Sequence, residues 1–295
     1  FTVEAGVLVS FLYLFFRWVQ NLSFIYLNAG QVVHYRPQID ALFNWYQKYF
    51  LKSQLNNTNK ENIPATNQFA EPIGWKTEGL NFSYSEKNLF NDLKFNILPG
   101  STVLIKGPSG SGKTTLIALM LSQIESDVSL KVFEKGSQAL NMQEAKSYLM
   151  NSVGYAGPEP FVIEGTVKEN LLYANHRAIS EEEIFEALKI ADCEFVSHLP
   201  GRLNYKITEQ GEGLSTGQKQ RLSLARALLR RPKALFLDEA LSNVDQETRR
   251  RVVRNLCELK DRFTLIFISH FEFEFLKPDL EIIFQENSEI TVKSN

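Results

Sequence analysis

Residues 107–115 read Gly-Pro-Ser-Gly-Ser-Gly-Lys-Thr-Thr, and this stretch decides the expected fold of the chain. It fits the pattern G-x-x-x-x-G-K-[ST], in which the backbone N–H groups of a glycine-rich turn surround phosphate oxygens. Residues 101–106 predict a buried strand before the turn, and residues 115–121 predict a helix whose positive end faces a phosphate. This context favours a phosphate-binding loop over the alternative, a Gly- and Ser-rich turn without a ligand.

The loop supplies the predicted contacts to a nucleotide. The Lys113 ammonium can reach the β- and γ-phosphates, and the Thr114 hydroxyl can ligate Mg²⁺. The sequence therefore predicts a nucleotide-binding site with these contact residues: Gly107, Pro108, Ser109, Gly110, Ser111, Gly112, Lys113, Thr114 and Thr115.

Four further motifs follow downstream. They are Leu-Ser-Thr-Gly-Gln at 214–218, an apolar strand ending in Asp238-Glu239, Ser-Asn-Val-Asp at 242–245, and His270 after another apolar run. In this order, behind the phosphate loop, they resemble the motifs of the ATP-binding cassette (ABC) family, from about residue 78 to about residue 284. The resemblance implies an ATPase whose two cassettes close head-to-tail around two ATP molecules, with Mg²⁺ as cofactor.

The resemblance assigns a role to each motif. Asp238 would hold Mg²⁺ through water, Glu239 would orient the attacking water, and His270 would contact the γ-phosphate. Glu239, His270 and Lys113 are thus the predicted catalytic residues, and Tyr84 in the first strand would stack on adenine. The residues expected to meet the ATP of the partner cassette are Ser215, Thr216, Gly217, Gln218 and Asp245.

Local chemistry leaves other interpretations open for these residues. Asp238-Glu239 can cap a helix, His270 can be structural, and Tyr84 can be ordinary strand surface, since Tyr is common in strands. Residues 215–218 also fit the capping-box pattern S-x-x-Q at the start of a predicted helix. That interpretation is compatible with the functional one, because the N-terminus of a capped helix is itself an anion site.

One position departs from the family pattern. Family members carry Gln in a loop written Y-V-P-Q-x-P-F, whereas residues 155–161 read Tyr-Ala-Gly-Pro-Glu-Pro-Phe, which places Pro158 at the Gln position. Proline has neither a side-chain oxygen for Mg²⁺ nor a backbone donor. Either Thr114, phosphate oxygens and water suffice for Mg²⁺, or Glu159 takes the role of the missing Gln.

Composition narrows the class of protein further. The 295 residues carry a net charge of −2, so nothing in the charge balance calls for nucleic acid as a partner. Cys193 and Cys257 lack metal-like spacing and predict free thiols in a reduced compartment.

The N-terminal part predicts an association with a membrane. Residues 5–27 are mostly apolar and aromatic, but the unbroken run is short for a span of about 20 residues, and a buried amphipathic helix is the alternative. We expect residues 1–52 to be the end of a transmembrane domain with a cytoplasmic helical extension, 53–77 a polar linker, and 78–295 the cassette. Because the chain begins with Phe1 rather than Met, we also expect it to be a piece of a longer protein.

The expected fold class is α/β, with a mainly parallel core sheet, an antiparallel β subdomain and a helical subdomain that carries residues 214–218, preceded by N-terminal membrane-derived helices.

Thr-Glu-Gln-Gly at 208–211 resembles a loop of exporters and favours an exporter-type transporter. Expected partners are a second cassette, identical or different, the chain's own transmembrane domain and the bilayer. The resemblance places the cassette on the cytoplasmic side, with a bacterial inner membrane as the expected membrane. Two alternatives remain: a cassette that binds ATP but hydrolyses it poorly, and a soluble ABC ATPase outside transport.

Overall fold

The computed structural model describes residues 13–18, 71–84, 87–124, 129–175, 177–208, 213–259, 261–269, 271, 275–285 and 289–294. The chain divides into two compact units, Phe1–Asn67 and Gln68–Asn295. In the first unit, residues 13–18 form a helical segment whose large apolar side chains are 55–65% exposed. Across all the described residues, no helix has both the length and the apolar composition that crossing a bilayer requires. The rest of the expected transmembrane tail, most of the linker and residues 209–211 lie outside the described residues.

The described elements of the second unit follow one another in this order: β1 (Ile73–Tyr84), β2 (Lys87–Ile97), β3 (Thr102–Lys106), α1 (Lys113–Met120), β4 (Lys131–Glu134), β5 (Leu140–Asn141), α2 (Met142–Ser152), β6 (Val153–Ala156), β7 (Gly165–Thr166), α3 (Val167–Leu172), α4 (Glu181–Ile190), α5 (Phe195–His198), a 3₁₀ turn (Arg202–Asn204), β8 (Lys206–Ile207), α6 (Thr216–Leu229), β9 (Ala234–Asp238), α7 (Gln246–Cys257), β10 (Thr264–Ile268), β11 (Leu280–Phe284) and β12 (Ile290–Ser294).

The strands form a mainly parallel core sheet and a separate antiparallel sheet. The core sheet has the order β12-β11-β3-β10-β9-β6, and only its edge strand β12 runs antiparallel to its neighbour. The antiparallel sheet has the order β2-β1-β4-β5. Helices α3 to α6 lie between β7 and β9 in the chain, and α6 begins within residues 214–218. The α/β class and its three expected parts are therefore confirmed for the cassette.

The core sheet is buried on both faces, because alternate residues of each strand enter different apolar clusters. Leu235 and Leu237 of β9 join the cluster that contains α3, α4, α6 and α7. Ala234 and Phe236 of the same strand join the cluster that contains β1, β2, α1 and α2. Burial on both faces explains why β9 reads as a continuous apolar run, and it leaves only the strand ends available to a ligand.

Two boundaries differ from the expected ones. β1 begins at Ile73, so residues 73–77, expected in the linker, belong to the first strand. Trp75 is fully buried there, and its indole N–H donates to the Met120 carbonyl at 3.0 Å. Ser-Glu-Glu-Glu at 180–183 fits a capping box and predicts a helix through Cys193. This helix, α4, ends at Ile190, and Asp192 adopts a left-handed conformation with φ 53°.

Candidate nucleotide-binding site

The sheet topology brings the phosphate loop and the Asp-Glu pair together. The loop joins β3 to α1, and β10 pairs in parallel with both β3 and β9. The carboxyl ends of parallel strands share one edge of a sheet, and ligands of open α/β sheets lie beyond that edge. Lys113 at the start of α1 and Asp238 at the end of β9 consequently face the same space.

The loop has the backbone that phosphate binding requires. Gly110 and Gly112 lie at φ 74° and 105°, conformations that residues with a Cβ rarely adopt. Gly112 is the residue before α1, so the turn delivers the chain directly into the helix N-terminus. The Ser111 hydroxyl oxygen is buried and has no hydrogen-bond partner among the described residues. A buried hydroxyl of this kind is available to donate to a ligand oxygen.

The Lys113 ammonium lies inside the loop. The side chain is only 6% exposed, and its Nζ donates to the carbonyl oxygens of Gly107 at 2.8 Å and Pro108 at 2.7 Å. Burial lowers the pKa of Lys113, while the negative charges of Glu239 and Asp238 act in the opposite direction. The ammonium thus lies among the groups predicted to surround a triphosphate.

Asp238 is a buried carboxylate with two hydroxyl partners. Its side chain receives a hydrogen bond from Tyr155, whose hydroxyl lies 3.2 Å from Oδ2, and a further one from Thr114. Burial raises the pKa of Asp238, and these hydrogen bonds and Lys113 oppose the effect. The predicted pair of metal-binding groups, Thr114 and Asp238, is therefore in contact.

Glu239 follows Asp238 in a left-handed conformation, with φ 50°. Such a backbone costs a residue with a side chain about 1 kcal/mol or more, and strained residues of this kind cluster at functional sites. Its backbone N–H donates to the Ile268 carbonyl at 3.2 Å, which fixes the residue to the end of the neighbouring strand. Glu239 lines the same cleft as Ser109, Gly110 and Lys113.

This cleft has a volume of about 480 Å³, in the range of small-molecule sites. Its lining includes the glycine-rich turn, the Lys113 ammonium, the Thr114 hydroxyl and Glu239. Thr114 in turn hydrogen-bonds to the buried carboxylate of Asp238. These groups fit a triphosphate with a divalent cation: the amides and Lys113 match phosphate oxygens, and Thr114 with Asp238 matches the oxygen ligands that Mg²⁺ prefers.

The second motif region begins a helix as expected. Ser215 caps α6: its hydroxyl accepts from the Gln218 N–H at 3.2 Å, and the Gln218 side chain accepts from the Ser215 N–H at 2.8 Å. Ser215 and Thr216 are exposed, while Gly217 is buried. A Cβ on Gly217 would lie 2.5 Å from the Asn243 carbonyl oxygen, so close packing within this chain already requires glycine there.

Asp245 has a structural role in the described chain. Its carboxylate accepts from the Thr248 N–H at 3.0 Å and caps α7. This backbone hydrogen bond is the main cause that lowers the pKa of Asp245. Contact of Asp245, and of residues 215–218, with a partner's nucleotide stays a prediction.

The other residues that the sequence predicted for the site are His270, Tyr84, Pro158 and Glu159. His270 lies outside the described residues, so its contact with phosphate stays a prediction. Tyr84 is the last residue of β1, and its stacking on adenine likewise stays a prediction. Pro158 and Glu159 are both exposed in the loop after β6.

Two residues near the site were missed by the sequence analysis. One is Tyr155, which hydrogen-bonds to the Asp238 carboxylate; it matches the Tyr of the family pattern at 155–161, but that pattern assigned no partner to its hydroxyl. The other is Gln220, which is 1% exposed and bonds to the loops at Pro158 and at 242–243. Its signal was available, because Gln220 falls three residues after Gly217 and four before Leu224, on the buried face of α6.

The fold and the site define the class: a phosphate-loop nucleotide-binding domain with a helical subdomain. The family model described as "ABC transporter" matches residues 90–242, just over half of the chain. The chain therefore belongs to the ABC transporter family, and the resemblance drawn from its motifs is confirmed.

Individual relatives agree with this assignment. The chain is 38% identical over 221 residues to an ATP-dependent permease MDL1 of Candida albicans, covering 72% of this chain and 32% of the permease. It is 33% identical over 224 residues to a putative export ATP-binding/permease protein of Rickettsia bellii, covering 74% and 37%. The structure of a bacterial Atm1-family ABC exporter with ATP bound superposes with a TM-score of 0.62 at 25% identity, covering 76% of this chain and 38% of the exporter. This chain spans about a third of the length of these proteins.

Proposed function

We propose that this chain is the ATP-hydrolysing cassette of an exporter-type ABC transporter and couples hydrolysis to movement of a substrate across a membrane. The observation that carries the proposal is that Lys113, Thr114 and Glu239 line one cleft at the carboxyl edge of the core sheet, with the Asp238 carboxylate hydrogen-bonded to Thr114 beside it. The similarity to export and permease proteins supports the transport part.

In this mechanism the chain's own residues position the reacting groups and neutralise the charge of the phosphates. The loop amides and Lys113 bind the β- and γ-phosphates, while Glu239 orients a water molecule and accepts its proton as the water oxygen bonds to the γ-phosphorus. The bond from the γ-phosphorus to the bridging oxygen breaks, leaving ADP and inorganic phosphate. Mg²⁺, held by Thr114 and Asp238, would neutralise charge on the phosphate oxygens. Little covalent chemistry is required beyond this alignment.

The proposed active unit contains two cassettes. Ser215 and Thr216 are exposed at the N-terminus of α6, where a helix presents unsatisfied N–H groups and positive potential to an anion. We infer that this end binds the γ-phosphate of ATP held by a partner cassette, identical or different. ATP then closes the pair, and hydrolysis reopens it, because each state makes different contacts.

The N-terminal unit is proposed to lie in or against a bilayer. The exposed apolar side chains of residues 13–18 support this placement, since an exposed apolar patch marks a contact surface. We do not assign this bilayer to a bacterial inner membrane in particular, because the relatives come from a fungus as well as a bacterium.

A second candidate, a cassette that binds ATP but hydrolyses it slowly, is favoured by one observation. Pro158 occupies the position where the family pattern has Gln and is exposed without a side-chain oxygen. Glu239 in the cleft favours the first candidate instead. The steady-state ATPase rate of the purified chain separates the two.

The central experiment replaces Glu239 by Gln in the full chain. We expect ATP binding to persist, hydrolysis to fall by about 10²- to 10⁴-fold, and the chain to form an ATP-dependent pair. Light scattering in detergent with saturating Mg-ATP measures the pair, and Glu247→Gln, an exposed glutamate on α7, is the control. A Glu239→Gln variant that stayed monomeric in Mg-ATP would contradict the two-cassette site.

A further inference from the structure

The hydroxyl of Tyr155 lies on the carboxylate of Asp238. Tyr155 Oη donates to Asp238 Oδ2 at 3.2 Å. Strands β6 and β9 run in parallel, with Tyr155 opposite Phe236 and Ala156 opposite Leu237, so both strands end at the same edge of the core sheet. Asp238 is 4% exposed, and its other hydroxyl partner is Thr114 of the phosphate loop.

The loop after β6 makes room for this contact. A Cβ on Gly157 would lie 3.0 Å from both an aromatic carbon and the hydroxyl of Tyr155. The absence of a side chain at Gly157 therefore lets the ring fold over the strand end towards Asp238. This steric observation is independent of the hydrogen bond and points to the same placement of the ring.

The next residue cannot supply a metal-facing group. Pro158 has no polar side-chain atom, and its carbonyl oxygen accepts from the Gln220 side chain at 2.9 Å. Within the described part of β6 and the loop after it, the side chain that hydrogen-bonds to the Asp238 carboxylate is that of Tyr155. A hydroxyl both donates and accepts, so it can hold a carboxylate and still accept from water.

We propose that Tyr155 is a positioning residue for the divalent cation of the nucleotide: its hydroxyl fixes the Asp238 carboxylate, in a chain whose following loop has Pro158 and therefore no Gln side-chain oxygen at that position. The inference rests on the proposed Mg-ATP site. Partners that orient a metal-binding carboxylate govern metal affinity, and their loss commonly weakens binding by about tenfold or more. Tyr155→Phe removes only the oxygen and keeps the ring against Gly157.

The experiment measures binding without turnover. The full chain is titrated with the non-hydrolysable analogue AMP-PNP by calorimetry, once with MgCl₂ and once with EDTA, and the ratio of the two affinities is the metal-linked gain. Binding of Mn²⁺ to the analogue complex is followed separately by the electron paramagnetic resonance of free Mn²⁺. Lys113→Ala serves as the variant without a phosphate site.

We expect Tyr155→Phe to leave the affinity in EDTA unchanged, to reduce the metal-linked gain by about tenfold and to weaken Mn²⁺ binding equally. Gly157→Ala, which crowds the ring, should reduce the gain in the same direction. Tyr148→Phe is the matched control, because Tyr148 also hydrogen-bonds to a carboxylate, that of Glu134, away from the cleft. The metal-linked gain of Tyr148→Phe should equal that of the wild type.

An unchanged metal-linked gain in Tyr155→Phe, with nucleotide bound normally, would overturn this inference and leave the proposed function intact. A loss of affinity already present in EDTA would overturn it too, because the effect would then be on the nucleotide or the fold. Wild-type chain that bound no analogue in either buffer would overturn both proposals.

Discussion

The side-chain amide of Gln220 donates to the Pro158 carbonyl oxygen at 2.9 Å. The same Nε2 lies 3.1 Å from the Ser242 hydroxyl, and Oε1 accepts from the Asn243 N–H at 3.0 Å. One buried amide on α6 thus joins the loop after β6 to the loop after Glu239. The first loop follows the strand of Tyr155 and the second follows Glu239, so Gln220 ties together segments that the sequence separates by more than eighty residues.

Gln220→Leu should separate binding from catalysis. The substitution leaves the Asn243 N–H and the Pro158 carbonyl without this partner, so the two loops lose their side-chain link. Because Gln220 does not touch the phosphate loop, we expect the ATP dissociation constant to change little and the turnover number to fall by about 10- to 100-fold. Nucleotide titration and an ATPase assay measure the two quantities. Gln143→Leu, on the exposed face of α2, is the control; a turnover loss of equal size in it would refute the specific role.

Lys113→Ala should weaken ATP binding by at least about tenfold, because it removes the charge that faces the phosphates. The measurement is a titration with a fluorescent ATP analogue. Lys106→Ala is the matched control: Lys106 ends the strand before the loop and pairs with Glu281 at 3.2 Å, so its loss should leave affinity unchanged. Equal affinities for Lys113→Ala and wild type would mean that residues 107–115 do not form a phosphate site.

Pro158→Gln should lower the Mg²⁺ concentration that gives half-maximal ATPase activity by about threefold to tenfold, since it restores a side-chain oxygen next to the site. Glu159→Ala should leave this concentration unchanged, because the Glu159 side chain is exposed. The ATPase rate is measured against Mg²⁺ for both variants, with Pro160→Gln in the same loop as the control. A rise in the Mg²⁺ requirement of Glu159→Ala would instead assign the role of the missing Gln to Glu159.

Glu183→Gln should destabilise the helical subdomain in a pH-dependent way. The hydrogen bond from Arg177 is the main cause that lowers the pKa of Glu183 from 4.5 to about 2, and Arg231 also contacts the carboxylate, at 2.6 Å. A lowered carboxyl pKa contributes stability above the unfolded pKa, and this contribution is lost as the pH falls from about 4.5 to about 2.

We therefore expect Glu183→Gln to lower the unfolding free energy by about 1 to 3 kcal/mol at pH 7, and the difference from wild type to shrink between pH 4.5 and pH 2. Urea unfolding at several pH values measures this. Glu186→Gln on the same helix is the control, since its ion pair with Arg262 is more exposed and should contribute little. A difference that stayed constant with pH would exclude the charge as its cause.

The sequence by itself determined the family, the strand and the helix that flank the phosphate loop, and most of the residues that line the cleft. Gly110, Gly112 and Lys113 could be assigned because a phosphate loop is local: its glycines, lysine and following helix are consecutive, and the chemistry needs no distant partner. The capping box at Ser215 was predictable for the same reason, since it depends on residues three positions apart.

Only the tertiary structure decided which distant side chains meet at the site. Tyr155 reaches Asp238, and Gln220 joins the loops at 158 and 242–243, because parallel strands and α6 bring these segments to one edge of the sheet. The early start of β1 also depended on tertiary packing, since Trp75 is buried against Met120 from α1. Such contacts depend on register and on the three-dimensional neighbours of each strand end, and a linear pattern of residue types does not contain either.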